Sequence, residues 1–131
     1  MKAVSGTDAA GVPRHGLFRD HFKNGQLSCE GQFDRGRKTG EWKYYLANGG
    51  LKAVGQYKDD RIAGAWRWYR DNGELMQTGG FDDEEKKHGL WRRFHPNGKP
   101  MDEGRFEHGR KTGRWKAFDA DGKLKKETDF R

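Results

Sequence analysis

Five histidines, one cysteine, an acidic run and two glycine-lysine stretches are the groups in this chain of 131 residues whose types could support chemistry. A metal centre needs His, Cys or carboxylate ligands at a usable spacing. His15, His21, His88, His95 and His108 contain no H-x-x-x-H pair and occupy unrelated positions. They are expected as solvated loop histidines, so no metal is expected, although His88 and His108 fall in connecting loops that could converge. Cys29 stands alone, which excludes an intramolecular disulfide and a cysteine zinc site. With no His or acid repeated around it, Cys29 reads as a small apolar-face residue and not as a nucleophile. Asp82-Asp83-Glu84-Glu85 lacks the alternating acidic spacing of a calcium loop and reads as a solvated turn followed by Lys86-Lys87.

Gly31-Gln-Phe-Asp-Arg-Gly36-Arg-Lys38-Thr39 and Gly104-Arg-Phe-Glu-His-Gly109-Arg-Lys111-Thr112 nearly spell a phosphate-binding loop. That loop requires Lys directly after the second Gly and a helix next. Here an Arg intervenes and a strand-like Gly-x-Trp follows. Neither a nucleophile–base pair nor a carboxylate dyad occurs at usable spacing, so no catalytic residue and no cofactor are expected.

The elements around these groups follow from composition and repetition. Leu, Ile, Val and Phe together make only about 15% of residues, below the ~20% at which a chain with high net charge reads as disordered. Aromatics, however, reach 13%, with 20 Gly against 3 Pro. Aromatics and glycines without aliphatics suggest short strands and tight turns. Net charge is +7, which attracts polyanions in general. No apolar run approaches the ~18 residues of a membrane helix, and residues 1–14 lack the apolar stretch of a secretory signal. Together with the lone cysteine, this suits the cytoplasm.

A repeat organises the rest. Gly16-Leu-Phe, Gly40-Glu-Trp, Gly64-Ala-Trp, Gly89-Leu-Trp and Gly113-Arg-Trp start five copies, spaced by 24, 24, 25 and 24 residues. The copies are 16–39, 40–63, 64–88, 89–112 and a shorter 113–131, with the extra residue inside 82–88. Residues 1–15 lie outside the pattern and are expected as a flexible arm. One column is Phe18, Trp42, Trp66, Trp91 and Trp115. A second is His21, Tyr45, Tyr69, Phe94 and Phe118, and a third is Phe33, Tyr57, Phe81, Phe106 and Phe130. These columns hold 14 of the 17 aromatics.

Each copy carries Asn-Gly or Asp-Gly midway, the dipeptide of a two-residue type I′ hairpin turn. Turning at Asn48-Gly49 places Leu46 across from Leu51, Tyr44 from Ala53, Trp42 from Gly55 and Gly40 from Tyr57. A large aromatic over a bare glycine backbone rescues the strand pair, which accounts for the column Gly31, Gly55, Gly79 and Gly104. One face then carries Trp, Leu and Phe. The other carries the basic column Arg19, Lys43, Arg67, Arg92 and Lys116 across from Glu30, Val54, Thr78, Glu103 and Glu127. Three of those five pairs have opposite charges, the arrangement cross-strand pairing favours. Beside them Tyr45, Tyr69, Phe94 and Phe118 face Lys52, Met76, Met101 and Lys125.

The unit G-x-W-x-x-[YF]-x-x-[ND]-G-x-L-x-x-x-G-x-[YF]-x-x-G resembles the MORN repeat. More closely it is similar to the MORN-repeat-variant proteins that serve as bacterial antitoxin components, the YwqK type. The resemblance spans 16–131; Phe18, His21, Pro100 and Thr128 depart from the pattern. It implies a non-catalytic scaffold that binds proteins and, in some members, acidic lipids. The expected fold is all-β, an elongated antiparallel meander of about five hairpins with strands from 16–23 through 123–130. Phe18, Trp42, Trp66, Trp91 and Trp115 with the four column glycines form its structural set. The expected function is a protein-binding module of the antitoxin or immunity type that sterically blocks a toxin or effector. Its expected contact residues are Tyr45, Arg67, Tyr69, Arg92, Phe94, Met101 and Phe118, aromatic and Arg anchors typical of interface hot spots. The alternatives are electrostatic binding of acidic lipid or nucleic acid through basic returns near 35–38 and 110–111, or an assembly scaffold with pairing end strands.

Overall fold

The computed structural model describes residues 4–131. Ten strands follow one another: β1 Gly16–His21, β2 Leu27–Asp34, β3 Arg37–Tyr45, β4 Leu51–Lys58, β5 Arg61–Tyr69, β6 Leu75–Phe81, β7 Gly89–Phe94, β8 Pro100–Glu107, β9 Arg110–Phe118 and β10 Leu124–Phe130. They form one antiparallel sheet in sequence order, with no helix among the described residues. The expected all-β meander is the observed fold.

The hairpin register agrees with the sequence reading along most of each strand. Trp42 pairs with Gly55, Tyr44 with Ala53 and Gly40 with Tyr57. At the tips the reading needs correction. The Gly49 N–H donates to the Leu46 carbonyl (2.9 Å) and the Leu46 N–H to Gly50 (2.7 Å), and of Asn48-Gly49 only the glycine has positive φ. The tip is therefore a three-residue loop, a type I turn closed by a left-handed glycine. The Asn48 Oδ1 accepts the Gly50 N–H at 2.8 Å and holds the turn. The resulting bulge pairs Tyr45 with Leu51. Leu51 thus shares a face with Tyr45 and not with Trp42, and Lys52 becomes the bulged residue.

The type I′ geometry occurs instead in the returns. Arg35-Gly36, Asp59-Asp60 and His108-Gly109 have positive φ at both residues, bracketed by the pairs Asp34 with Arg37, Lys58 with Arg61 and Glu107 with Arg110. The third return, 82–88, is longer. It leaves only two registered pairs between β6 and β7, against five between β2 and β3.

The tryptophans join hairpins across these returns. A Cβ built on Gly31 would lie 2.1 Å from the Trp42 ring, on Gly55 1.9 Å from Trp66, on Gly79 2.2 Å from Trp91 and on Gly104 2.1 Å from Trp115. Each indole therefore covers the glycine of the preceding hairpin, not the one across its own. The register of β2 with β3 skips from Glu30 to Gln32, leaving Gly31 bare for the ring. The indole N–H then donates to the next carbonyl: Trp42 to Gln32 (3.1 Å), Trp66 to Gln56 (3.2 Å), Trp91 to Gly80 (3.0 Å) and Trp115 to Arg105 (3.1 Å). Phe33, Tyr57, Phe81 and Phe106 meet the indoles edge-on at 5.1–5.9 Å, the arrangement that ring quadrupoles favour.

The core is thus a row of aromatics on one face. Trp42 is 0% exposed, Trp66 2% and Trp91 4%. Lysine stems lie over the row. Lys38 Nζ sits 5.2 Å from the Trp42 ring and 5.0 Å from Tyr57, and Lys87 and Lys111 repeat the arrangement on Trp91 and Trp115. Burial pushes the Lys38 ammonium below its usual value. Residues 4–15, expected as a flexible arm, instead fold back onto the first hairpin. The Arg14 N–H donates to Gly6 (2.8 Å), the Gly36 N–H to Arg14 (2.7 Å), and the Arg14 guanidinium lies 4.6 Å from Phe18. Arg14 thereby takes the place that Lys38 and Lys87 hold in later copies. Residues 1–3 of the expected arm lie outside the described residues.

Candidate functional site

The face opposite the tryptophans carries the expected contact set. Strand alternation puts Lys43 and Tyr45, and Arg67 and Tyr69, on that face. Tyr45, Tyr69, Phe94 and Phe118 are all half-buried. Because of the bulge they pair with Leu51, Leu75, Pro100 and Leu124. The expected pairing of Phe94 with Met101 is corrected: Met101 is the bulged residue, half-buried beside the column. The outcome is a column of apolar pairs near the hairpin tips, one in each of the last four hairpins, with His21 and Leu27 in that place in the first.

Next to this column the basic residues divide. Arg19 pairs with Glu30 at 3.2 Å and Arg92 with Glu103 at 3.1 Å. The expected Lys116–Glu127 pair is in register, but Glu127 takes its ion pair from Arg114 at 3.6 Å. Arg67, between Val54 and Thr78, makes no ion pair among the described residues and is exposed. Tyr45 is held differently from its column mates, since its hydroxyl donates to Glu30 at 2.8 Å. That bond, with Arg19 behind it, keeps the Glu30 carboxyl below its usual value. Burial, then Glu30, pushes the Tyr45 phenol up to about 12. The tips are tied laterally. Arg70 donates to the Phe94 carbonyl at 2.8 Å, and the Asn24 and Asn97 amides donate to Ala47 (3.0 Å) and Ala120 (2.7 Å). The apolar column is therefore held in fixed spacing.

The remaining groups sort cleanly. Cys29 is buried in the core, and burial, then Asp20, pushes its thiol up, which disfavours a thiolate. Lys38 and Lys111 of the near-phosphate-loop stretches lie over aromatic rings between strands. His88 and His108 do converge. Their rings are 4.8 Å apart, and His108 Nδ1 lies 2.6 Å from Asp82 Oδ2. The convergence that their connecting loops allow is the observed arrangement, and both rings stay exposed to solvent. Asp82 and His88 share the third return, but sequence reasoning could not have joined His108 to Asp82, which lies 26 residues away along the chain.

These features meet in a known pattern. The family model of the MORN repeat variant matches residues 38–59, 87–108 and 111–131. Three of the repeats thus match the MORN repeat variant. The matched MORN segments open on Lys38, Lys87 and Lys111, the lysines that lie over the tryptophans, two residues before the glycines that mark the copies in the sequence. No curated protein matches the chain. Among solved structures, the chain is similar to a mutant of S. aureus TarM in complex with fondaparinux, alpha-GlcNAc-glycerol and UDP. Identity is 7% and the TM-score 0.44, over 83% of this chain and 20% of that one. The chain thus spans one fifth of that protein's length. No helix among the described residues is long and apolar enough to cross a membrane.

Proposed function

We propose that this MORN-variant chain is a non-catalytic binding module whose target is another protein, seated on the face of Tyr45, Tyr69, Phe94 and Phe118. One observation carries the reading. Trp42, Trp66 and Trp91 are buried within their own aromatic row, whereas the opposite face presents an ordered column in which every aromatic is half-exposed, beside the unpaired Arg67. Rigid aromatics and Arg supply binding energy at small entropy cost. Met101 and Arg92 border the column and extend it across β7 and β8. By resemblance, the module acts as an antitoxin or immunity-type protein in the cytoplasm, and its mechanism is steric occlusion of a toxin or effector.

Binding of acidic lipid or nucleic acid is the second reading, favoured by the net charge of +7. Against it, Lys38, Lys87 and Lys111 are committed to aromatic rings, and Arg19 and Arg92 to carboxylates. Affinity capture from the native host, starting with the product of the neighbouring gene, separates the two. Protein occlusion predicts a partner retained at high salt. Recovery of no partner, together with salt-sensitive binding to anionic vesicles or oligonucleotides, contradicts it, since phosphate contacts weaken steeply with salt.

A further inference from the structure

The third and fourth returns meet at a cluster that the binding face does not use. Asp82 follows β6, His88 precedes β7, and His108 lies in the turn between β8 and β9. One donor atom from each of the three lies within 4.8 Å of the others. Asp82 is prepared for this role. Its Oδ1 accepts the N–H groups of Glu84 (2.8 Å) and Lys86 (2.9 Å), which leaves Oδ2 directed at His108 Nδ1. The backbone ties the two returns together, since the Gly109 N–H donates to the Lys87 carbonyl at 2.8 Å. Both imidazoles remain exposed to solvent and open to an aqueous ion.

We propose that Asp82, His88 and His108 form a binding site for a Zn2+-class divalent transition ion that clasps the third return to the fourth. Two imidazoles and one carboxylate are the donor set that suits such ions. In tetrahedral coordination with bonds of about 2.0–2.2 Å, neighbouring donors sit about 3.3 Å apart. Small side-chain rotations reach that spacing, with the ion replacing the proton shared by His108 and Asp82. Two imidazoles meet in no other return. The first return has His15 beside Arg35 and Asp34, and the second has Asp59-Asp60. The site also lies at the seam that has only two registered strand pairs, between β6 and β7. A clasp there has a measurable consequence, because local opening is easiest where backbone pairing is sparse.

The first return supplies a variant built to fold. There Arg35 stands where His108 stands, and its N–H donates to His15 Nδ1 at 3.2 Å as the His108 N–H does to His88 at 3.4 Å. His108→Arg therefore removes a ligand and keeps a return that the chain already uses, and Asp82→Asn keeps the acceptor of the loop N–H groups. The experiment titrates Zn2+ into the full chain, free of any polyhistidine tag, by calorimetry near neutral pH, and follows amide exchange in β6 and β7. The expected result is one ion per chain, with affinity reduced about tenfold or more in His108→Arg and also reduced in Asp82→Asn. Exchange in β7 should slow with Zn2+ in the unmodified chain alone. Equal affinity in the unmodified chain and both variants overturns the site. Binding that leaves β7 exchange unchanged overturns the clasp. Should His108→Arg fail to fold, Asp82→Asn carries the same comparison.

Discussion

The Trp66 indole of the third hairpin sits on Gly55 of the second so closely that a Cβ on the glycine would lie 1.9 Å from the ring. This contact repeats along the sheet and makes each hairpin depend on its predecessor. The glycine column is therefore a steric requirement. Gly55 lies outside the positive-φ residues, so backbone conformation does not demand it.

Gly55→Ala should cost about 3 kcal/mol, the upper range for overpacking a closed core. Trp66→Ala should cost about 3–5 kcal/mol through the lost aromatic volume. The double variant should cost clearly less than the sum, because without the indole the added methyl has room. Urea denaturation of the four proteins measures this cycle. Additive costs would show that the ring and the glycine are independent.

The tip geometry makes opposite demands on neighbouring residues. Gly73 has φ of 90° with no atom near a built Cβ, so Gly73→Ala meets backbone strain alone, about 1–2 kcal/mol. Asn72 is not left-handed, and its Oδ1 accepts the Glu74 N–H at 3.0 Å. Asn72→Gly should therefore destabilise by about 0.5–1 kcal/mol. A type I′ turn would instead gain from glycine there, so the sign of that change in a thermal melt decides the geometry.

Burial pushes the Tyr44 and Tyr57 phenols above their usual value, and Tyr45 reaches about 12. Unfolded phenols titrate near pH ~10. Because the folded values are the higher ones, the associated stability is complete below the unfolded value and is lost as pH rises through the folded values. Alkaline titration followed by phenolate absorbance should find these three tyrosines lagging, with unfolding easing at high pH. Ionisation of all three near the unfolded value in a folded chain would contradict their burial.

Much of this was legible in the sequence because the period repeats every error-free signal several times. The columns of Trp42, Tyr57 and Gly55 fixed strand, face and register together. The turn type was not legible, since Asn-Gly fits both a two-residue turn and a type I turn with a left-handed glycine. The choice rests on the Asn48 side-chain bond to Gly50. Nor could the sequence say which glycine Trp42 covers, because Gly31 and Gly55 flank it almost equally along the chain. The bulge that bares Gly31 decides. Face assignment of Leu51 failed for the same reason, one residue of bulge being enough to turn a side chain over. His108 joins Asp82 and His88 only through strand pairing, since it lies 26 and 20 residues from them along the chain.

The proposed function rests most directly on the face opposite the tryptophans. The deciding measurement is the dissociation constant of the captured partner for the unmodified chain, for Tyr69→Ala with Phe94→Ala, and for Arg67→Glu, each checked for unchanged circular dichroism. The account predicts that the aromatic pair loses ~30-fold or more in affinity, the scale of interface hot spots, with a further loss from Arg67→Glu. A partner that binds every folded variant with the affinity of the unmodified chain would contradict it.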